Sequence, residues 1–240
     1  ARRAARRRLS ELDDRIADLE RLERLGDADL DAPVDQLRDP ITAYDDAVQE
    51  AFREFRSSAP ARTVLSTVER ADAFPLVEFA SPPPALLDYV RTHEAGTETI
   101  PTLLEYADYS ASKLAHYVDD TSALKRVVST NRTYLRNLDA APLTVGWPPP
   151  PADHLPWRCR SSRSVLSSFA EDSVVAGLRD VRALADRPDY ERLRESALAR
   201  SELAADERER LASGTVASEL QAAREERADV DAALDEHGPL

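Results

Sequence analysis

The chain has 240 residues, enough for one large domain or two small ones with a buried core. Its 45 acidic residues outnumber its 32 basic ones, which gives a formal net charge of −13. With only 6 glycines, one cysteine and no long apolar run, it cannot belong to the collagen-like, disulfide-rich or membrane-spanning classes.

The residue usage indicates a salt-rich environment. Lys113 and Lys125 are the two lysines, and every other cation is an arginine. Dense carboxylates keep a protein hydrated where concentrated salt screens charge repulsion. We therefore expect a haloarchaeal cytoplasm, the alternative being an ordinary acidic protein from a GC-rich bacterium. The lone Cys159 excludes an intramolecular disulfide and fits a reducing compartment.

The two ends of the chain carry helical patterns. Leu9, Leu12, Ile16 and Leu19 are spaced 3, 4 and 3 residues apart, the seam of a two-helix packing, within a predicted N-terminal arm over 1–29. A weaker, alanine-containing seam follows in a predicted C-terminal arm over 189–240, with an interruption expected near Ser213–Gly214.

Charge favours pairing of these arms. Residues 1–26 hold 8 arginines against 6 acids, whereas residues 189–236 hold 7 arginines against 14 acids. The sequence therefore predicts an antiparallel two-helix coiled-coil stalk formed by the two ends of the chain. In the alternative, each arm packs on the rest of the protein as an ordinary amphipathic helix.

Between the arms, residues 30–188 are predicted to form a compact multi-helix head, so the fold class is all-α. Prolines divide short amphipathic segments: Asp39–Pro40 is expected to open one helix, and Thr121–Ser122 to cap another that runs to Leu138. The four prolines after Trp147 predict either an internal strap or a ligand for an aromatic-lined groove.

Catalytic and cofactor motifs are weak. The sequence has no glycine-rich phosphate loop and no nucleophile elbow, and its four histidines are scattered. Cys159 between two arginines is either an activated thiol or a small buried filler. Pairs such as Asp45–Asp46 are expected by chance among 45 acids. We therefore expect that the protein is not an enzyme and that it binds no metal and no cofactor. Enzymatic activity is kept as the third hypothesis, after the two functions given below.

One stretch departs from the acidic pattern. Tyr109 to Arg163 holds eight cations against four aspartates, with both lysines, both tryptophans and several tyrosines. Cations beside aromatic rings are typical of nucleic-acid surfaces, although they also serve as ion-pair partners for nearby carboxylates. The candidate binding residues are Lys113, Lys125, Arg126, Arg132, Arg136, Arg158 and Arg160.

Three segments, Ile100–Leu114, Leu143–Pro151 and Glu207–Gly214, resemble a family of uncharacterised haloarchaeal proteins. The resemblance implies a helical protein with coiled coils and an additional N-terminal region, which agrees with the absence of an initial Met. It implies no activity, and no functional residue is transferred from it.

The leading functional hypothesis is a non-catalytic interaction or scaffold protein of the cytoplasm, which acts on a protein partner or a second copy through its coiled coil. The alternative is a nucleic-acid-associated protein that uses the basic face of residues 109–163. No membrane association is expected.

Overall fold

The computed structural model describes residues 2–236, with side chains for residues 3–234. Over that range the prediction of an all-α fold is confirmed, with thirteen α-helices, two short 3₁₀ helices and no β-strand. The helices are α1 (Arg2–Gly26), α2 (Asp35–Ser58), α3 (Ala61–Ala71), α4 (Pro84–Thr92), α5 (Ile100–Asp108), α6 (Ala111–Leu114), α7 (Thr121–Thr130), α8 (Arg132–Asn137), α9 (Leu155–Leu166), α10 (Asp172–Leu184), α11 (Tyr190–Glu202), α12 (Ala205–Ala212) and α13 (Thr215–Glu236).

The chain divides into two compact units. Unit 1 consists of Ala1–Val34 and Glu191–Leu240, and unit 2 is the continuous stretch Asp35–Tyr190. The two ends of the chain therefore share one unit.

In unit 1, α1 packs against α13 within the same chain. The pairing is antiparallel, because Arg8 donates to Glu226 at 2.6 Å while Arg15, seven residues later, donates to Glu219 at 3.4 Å. Apolar residues from both helices, from α11 and from the break after α11 close the interior: Leu19, Leu22, Leu25, Ala199, Leu203, Val216, Leu220 and Ala223. Of the predicted N-terminal seam, Leu12 and Leu19 are buried, whereas Leu9 and Ile16 are half-buried.

The C-terminal segment breaks twice. The predicted interruption at Ser213–Gly214 separates α12 from α13, and Gly214 has the positive φ of 72° that favours glycine there. A second break at Leu203–Ala204 was not predicted. It allows Leu203 to turn into the apolar interior, while the Ala204 N–H donates to the Glu207 carboxylate at 2.8 Å.

In unit 2, α2 supplies the central apolar face through Ile41, Tyr44, Val48 and Phe52, and packs against α10. The helix starts at Asp35, one turn before the predicted start at Asp39–Pro40. Pro40 is accommodated near the beginning of the helix, where its ring removes a single backbone donor.

The predicted helix over residues 121–138 is two helices. Asp120, not Thr121, caps α7 by accepting from the Ala123 N–H at 2.8 Å. Asn131 interrupts the helix, and its side-chain amide donates to the Val127 carbonyl at 2.9 Å. An amide side chain that bonds the backbone competes with the helical pattern, which explains the break.

The proline run and the residues before it, 143–151, form an internal strap rather than a free ligand, and we call this segment the strap. Tyr44 donates to the Leu143 carbonyl at 2.8 Å, and Asp45 accepts from the backbone N–H groups of Val145 and Gly146 at 2.7 and 2.9 Å. At its other end, Tyr190 donates to the Pro150 carbonyl at 2.7 Å. Since prolines donate no backbone hydrogen bond, side chains of the helices hold the strap in place.

Gly96 is the most closely packed glycine of unit 2. A Cβ at this position would lie 1.8 Å from the Val90 carbonyl oxygen, which belongs to the backbone of α4. Arg62 donates to the same carbonyl and to that of His93, so the end of α4 is fixed. The Val90 carbonyl therefore cannot move away from a Cβ at position 96.

Replacing Gly96 by alanine should therefore destabilise unit 2 by about 3 kcal/mol or more, as a forced overpacking does. Urea unfolding followed by circular dichroism measures it. Gly177→Ala is the control, because its Cβ would meet Tyr44 at an ordinary 3.8 Å within α10, and alanine there should add up to about 1 kcal/mol. Equal stabilities for the two variants would contradict the packing described.

Candidate functional site

Three of the predicted cations gather around one carboxylate of unit 2. Arg132, at the start of α8, holds Asp108 with two hydrogen bonds of 2.5 and 3.2 Å. This bonding lowers the pKa of Asp108, with smaller contributions from the charges of Arg136 and Lys125. All three charges therefore favour the ionised form of Asp108, although only Arg132 is hydrogen-bonded to it and the helix is broken between Lys125 and the two arginines.

Three cations of α7 and α8 form no close ion pair in the described part of the chain. Lys125, Arg126 and Arg136 have no ion pair within 4.0 Å among residues 3–234, whereas Arg132 pairs with Asp108. In unit 1 the arginines that face the opposite helix are paired, as Arg8 and Arg227 are. A close ion pair therefore accounts for Arg132, whereas Lys125 and Arg136 act on Asp108 only at longer range.

Beside Asp108 lies a group of three tyrosines, which we call the tyrosine cluster: Tyr106, Tyr109 and Tyr117. Their ring centroids are 5.2 to 5.7 Å apart, and the rings are tilted against one another. Tyr106 is 9% exposed and anchors the cluster, whereas Tyr117 is 53% exposed. The Lys113 ammonium lies 3.2 Å from the centroid of Tyr109, a cation–π contact.

Acidic groups also lie beside the tyrosine cluster. Glu105 accepts a hydrogen bond from the Tyr109 hydroxyl, which is the main cause of the raised pKa of Tyr109. Burial, followed by the charge of Glu98, raises the pKa of Tyr106. Carboxylates and cations are therefore both present at the cluster, and Glu105 and Lys113 contact the same tyrosine.

The remaining predicted cations lie on α9 and have other contacts. Arg158 donates twice to the Thr144 carbonyl, at 2.8 and 3.1 Å, and so holds the start of the strap. Arg160 lies over the ring of Trp157 at 4.8 Å, and that ring is 59% exposed. Arg158 is thus engaged with the backbone, and Arg160 forms a separate exposed pair with Trp157.

Cys159 lies in the interior of unit 2. Its side chain is buried, and burial raises the pKa of the thiol to about 11 despite the charges of Arg182 and Arg158. Of the two interpretations of this cysteine, the structure supports the buried filler.

Metal binding and membrane crossing find no support in the portion that the structure describes. There, no three His, Cys, Asp or Glu side chains meet in a way that could hold a metal ion. Within the same portion, every helix is too short or too polar to traverse a bilayer.

Sequence reasoning did not identify Asp108 or Tyr106 as members of this surface. Both precede the interval over which the basic charge was counted, and Asp108 is one of many acids. The spacing of Tyr106 and Tyr109, three residues apart across the end of α5, is a signal that could have linked them.

The sequence comparisons agree with an uncharacterised family. Residues 1–234 match the family model of a domain of unknown function, DUF7118, and the chain belongs to that family. No curated protein and no solved structure matches the sequence.

The buried state of Cys159 gives a direct chemical prediction. Because only the thiolate reacts with disulfide reagents and the raised pKa leaves almost none of it at pH 8, Cys159 should not react with Ellman's reagent in the folded protein. It should react at once in urea. Rapid labelling at pH 8 under native conditions, faster than unfolding allows, would contradict the burial.

Proposed function

We propose that the chain is a non-catalytic interaction protein that acts as a scaffold through its paired terminal helices. The observation that carries this proposal is the closed pairing of α1 with α13, whose apolar residues such as Leu19 and Leu220 are buried inside unit 1. The outer faces of the pair are charged, so a partner would contact an intact pair by complementary charge and shape.

The flanking ion pairs support a defined register for this scaffold. Arg224 donates to Glu20 at 2.7 Å and Arg227 donates to Asp13 at 2.6 Å, both between α13 and α1. Exposed pairs of this kind contribute only about 0–1 kcal/mol each, so they select the alignment while the apolar interior supplies the stability.

We further propose that the protein works in a salt-rich haloarchaeal cytoplasm, a proposal that its composition supports. A net charge of −13 with only two lysines suits concentrated salt, where surface ion pairs weaken and a hydrated acidic surface keeps the chain in solution.

The scaffold proposal is tested by opening the pair. Leu19→Asp places a charge in the apolar interior, which should raise hydrogen exchange throughout α1 and α13 while α2 and α10 stay protected. A protein partner retained by the wild-type chain from a nuclease-treated extract of the source cells should then be lost. Asp18→Leu, at an exposed neighbouring position, is the control and should retain it.

If the partner remains bound to the Leu19→Asp variant after exchange shows the pair to be open, the scaffold role of the terminal helices is wrong. If the wild-type chain retains no partner at any salt concentration at which it is folded, the interaction proposal is wrong as well.

A second candidate is nucleic-acid association through the basic surface of unit 2. It is favoured by three cations that form no ion pair within 4.0 Å among residues 3–234, Lys125, Arg126 and Arg136, in a chain that is acidic overall. Phosphate oxygens are natural partners for such cations, and each phosphate neutralised releases counterions.

Reversing Lys125 and Arg136 to glutamate should weaken binding of labelled DNA and RNA by at least about ten-fold, since two phosphate contacts become repulsive. Fluorescence anisotropy from about 0.2 to 2 M KCl measures it. Arg132 is left unchanged, because a glutamate there would face Asp108 and disturb the fold.

The matched control reverses Arg6 and Arg179, two exposed arginines outside this surface, and produces the same change in net charge. Equal loss in both variants would show that total charge, rather than this surface, governs binding. No binding by the wild-type protein at any of these salt concentrations would remove the second candidate.

A further inference from the structure

The tyrosine cluster forms a surface that the fold itself does not cover. Tyr117 is 53% exposed in a protein whose other large apolar side chains are mostly buried, and its ring lies 5.2 Å from that of Tyr106. Tyr106 is held at 9% exposure in α5, so the outer ring rests on a fixed inner one. This gives Tyr117 a supported position from which to present a ring.

We propose that the tyrosine cluster is a stacking platform for the bases of a single-stranded nucleic acid whose phosphates lie on the adjoining cations. This inference rests on the second candidate function and specifies its ligand. An exposed tyrosine ring accepts any base by its π face, which makes such platforms tolerant of sequence.

The charges beside the cluster assign a place to each part of the ligand. Glu98 and Glu105 lie near Tyr106 and Tyr109, where a phosphate would be repelled and an uncharged base would not. Lys125 and Arg136 lie near Asp108, form no ion pair within 4.0 Å among residues 3–234, and offer their charges to phosphates. Arg132 neutralises Asp108 itself.

Lys113 completes the platform. Its ammonium lies 3.2 Å from the Tyr109 centroid, so that ring is already occupied by a cation of the protein. Tyr117 is the ring left for a base, and Lys113 contributes a further positive charge beside it. Paired bases inside a duplex present no free face, and therefore a single strand fits this surface better than a duplex.

The platform also explains how binding would persist in concentrated salt. Lys125, Arg126 and Arg136 provide about three phosphate contacts, which for a single strand corresponds to a slope of log K against log salt of about −2. Stacking is not screened by salt. Affinity should therefore fall only about 100-fold over a ten-fold rise in KCl.

The test compares oligothymidylate of about 15 nucleotides, labelled with fluorescein, with a duplex of the same length by anisotropy. Tyr117→Ala should weaken single-strand binding about ten-fold or more, whereas Tyr117→Phe should stay within about two-fold because the ring is retained. Trp157→Ala removes the most exposed aromatic ring of α9 and is the matched control, expected to bind as the wild type does.

The outcomes distinguish failure of the stacking platform from failure of nucleic-acid association as a whole. If Lys125→Glu with Arg136→Glu abolishes binding while Tyr117→Ala does not change it, the platform is wrong and nucleic-acid association stands. If the duplex binds as tightly as the single strand, or if Trp157→Ala causes the larger loss, the platform is also wrong. If neither nucleic acid binds, the second candidate function and the platform fail together.

Discussion

Four consecutive prolines create the constraint on which unit 2 depends. The strap has no N–H groups of its own to donate along the proline run, so its carbonyls and flanking amides must be satisfied by side chains of the surrounding helices. Tyr44 and Asp45 of α2 bind one end, and Tyr190 binds the other. Arg158 of α9 adds two bonds to the Thr144 carbonyl. A single short segment thereby joins α2 to α9.

That constraint also separates structural cations from available ones. Arg158 is half-buried and uses its guanidinium to complete the hydrogen bonding of the strap, and Cys159 beside it is buried in the interior of unit 2. Lys125 and Arg136 stand on α7 and α8, where Tyr134 rather than either cation donates to a distant backbone carbonyl, that of Ala80. Both sets of cations occur in the same stretch of sequence, but they meet different demands in the fold.

The sequence was sufficient for the features that depend on local periodicity. The seam through Leu12 and Leu19, the face of α2 and the helical break at Gly214 all follow from spacing or backbone preference. What it did not reveal depends on contacts distant along the chain. The bond of Arg132 to Asp108 spans 24 residues, and the turn at Leu203 is set by the apolar interior of unit 1. Periodicity carries no information about such partners.

The discontinuity of unit 1 has a consequence for the order of folding. Its first segment ends at Val34 and its second begins at Glu191, so α1 is synthesised long before the helix it pairs with. Joining them across an unfolded unit 2 would require closing a loop of more than 150 residues, whose entropic cost grows with length. When unit 2 is already folded, the chain between the two segments is a compact body rather than a flexible loop, and the entropic cost of closure is smaller. Unit 2 is therefore expected to fold first, and until α13 is complete the leucines of α1 have no partner in α13 to cover them.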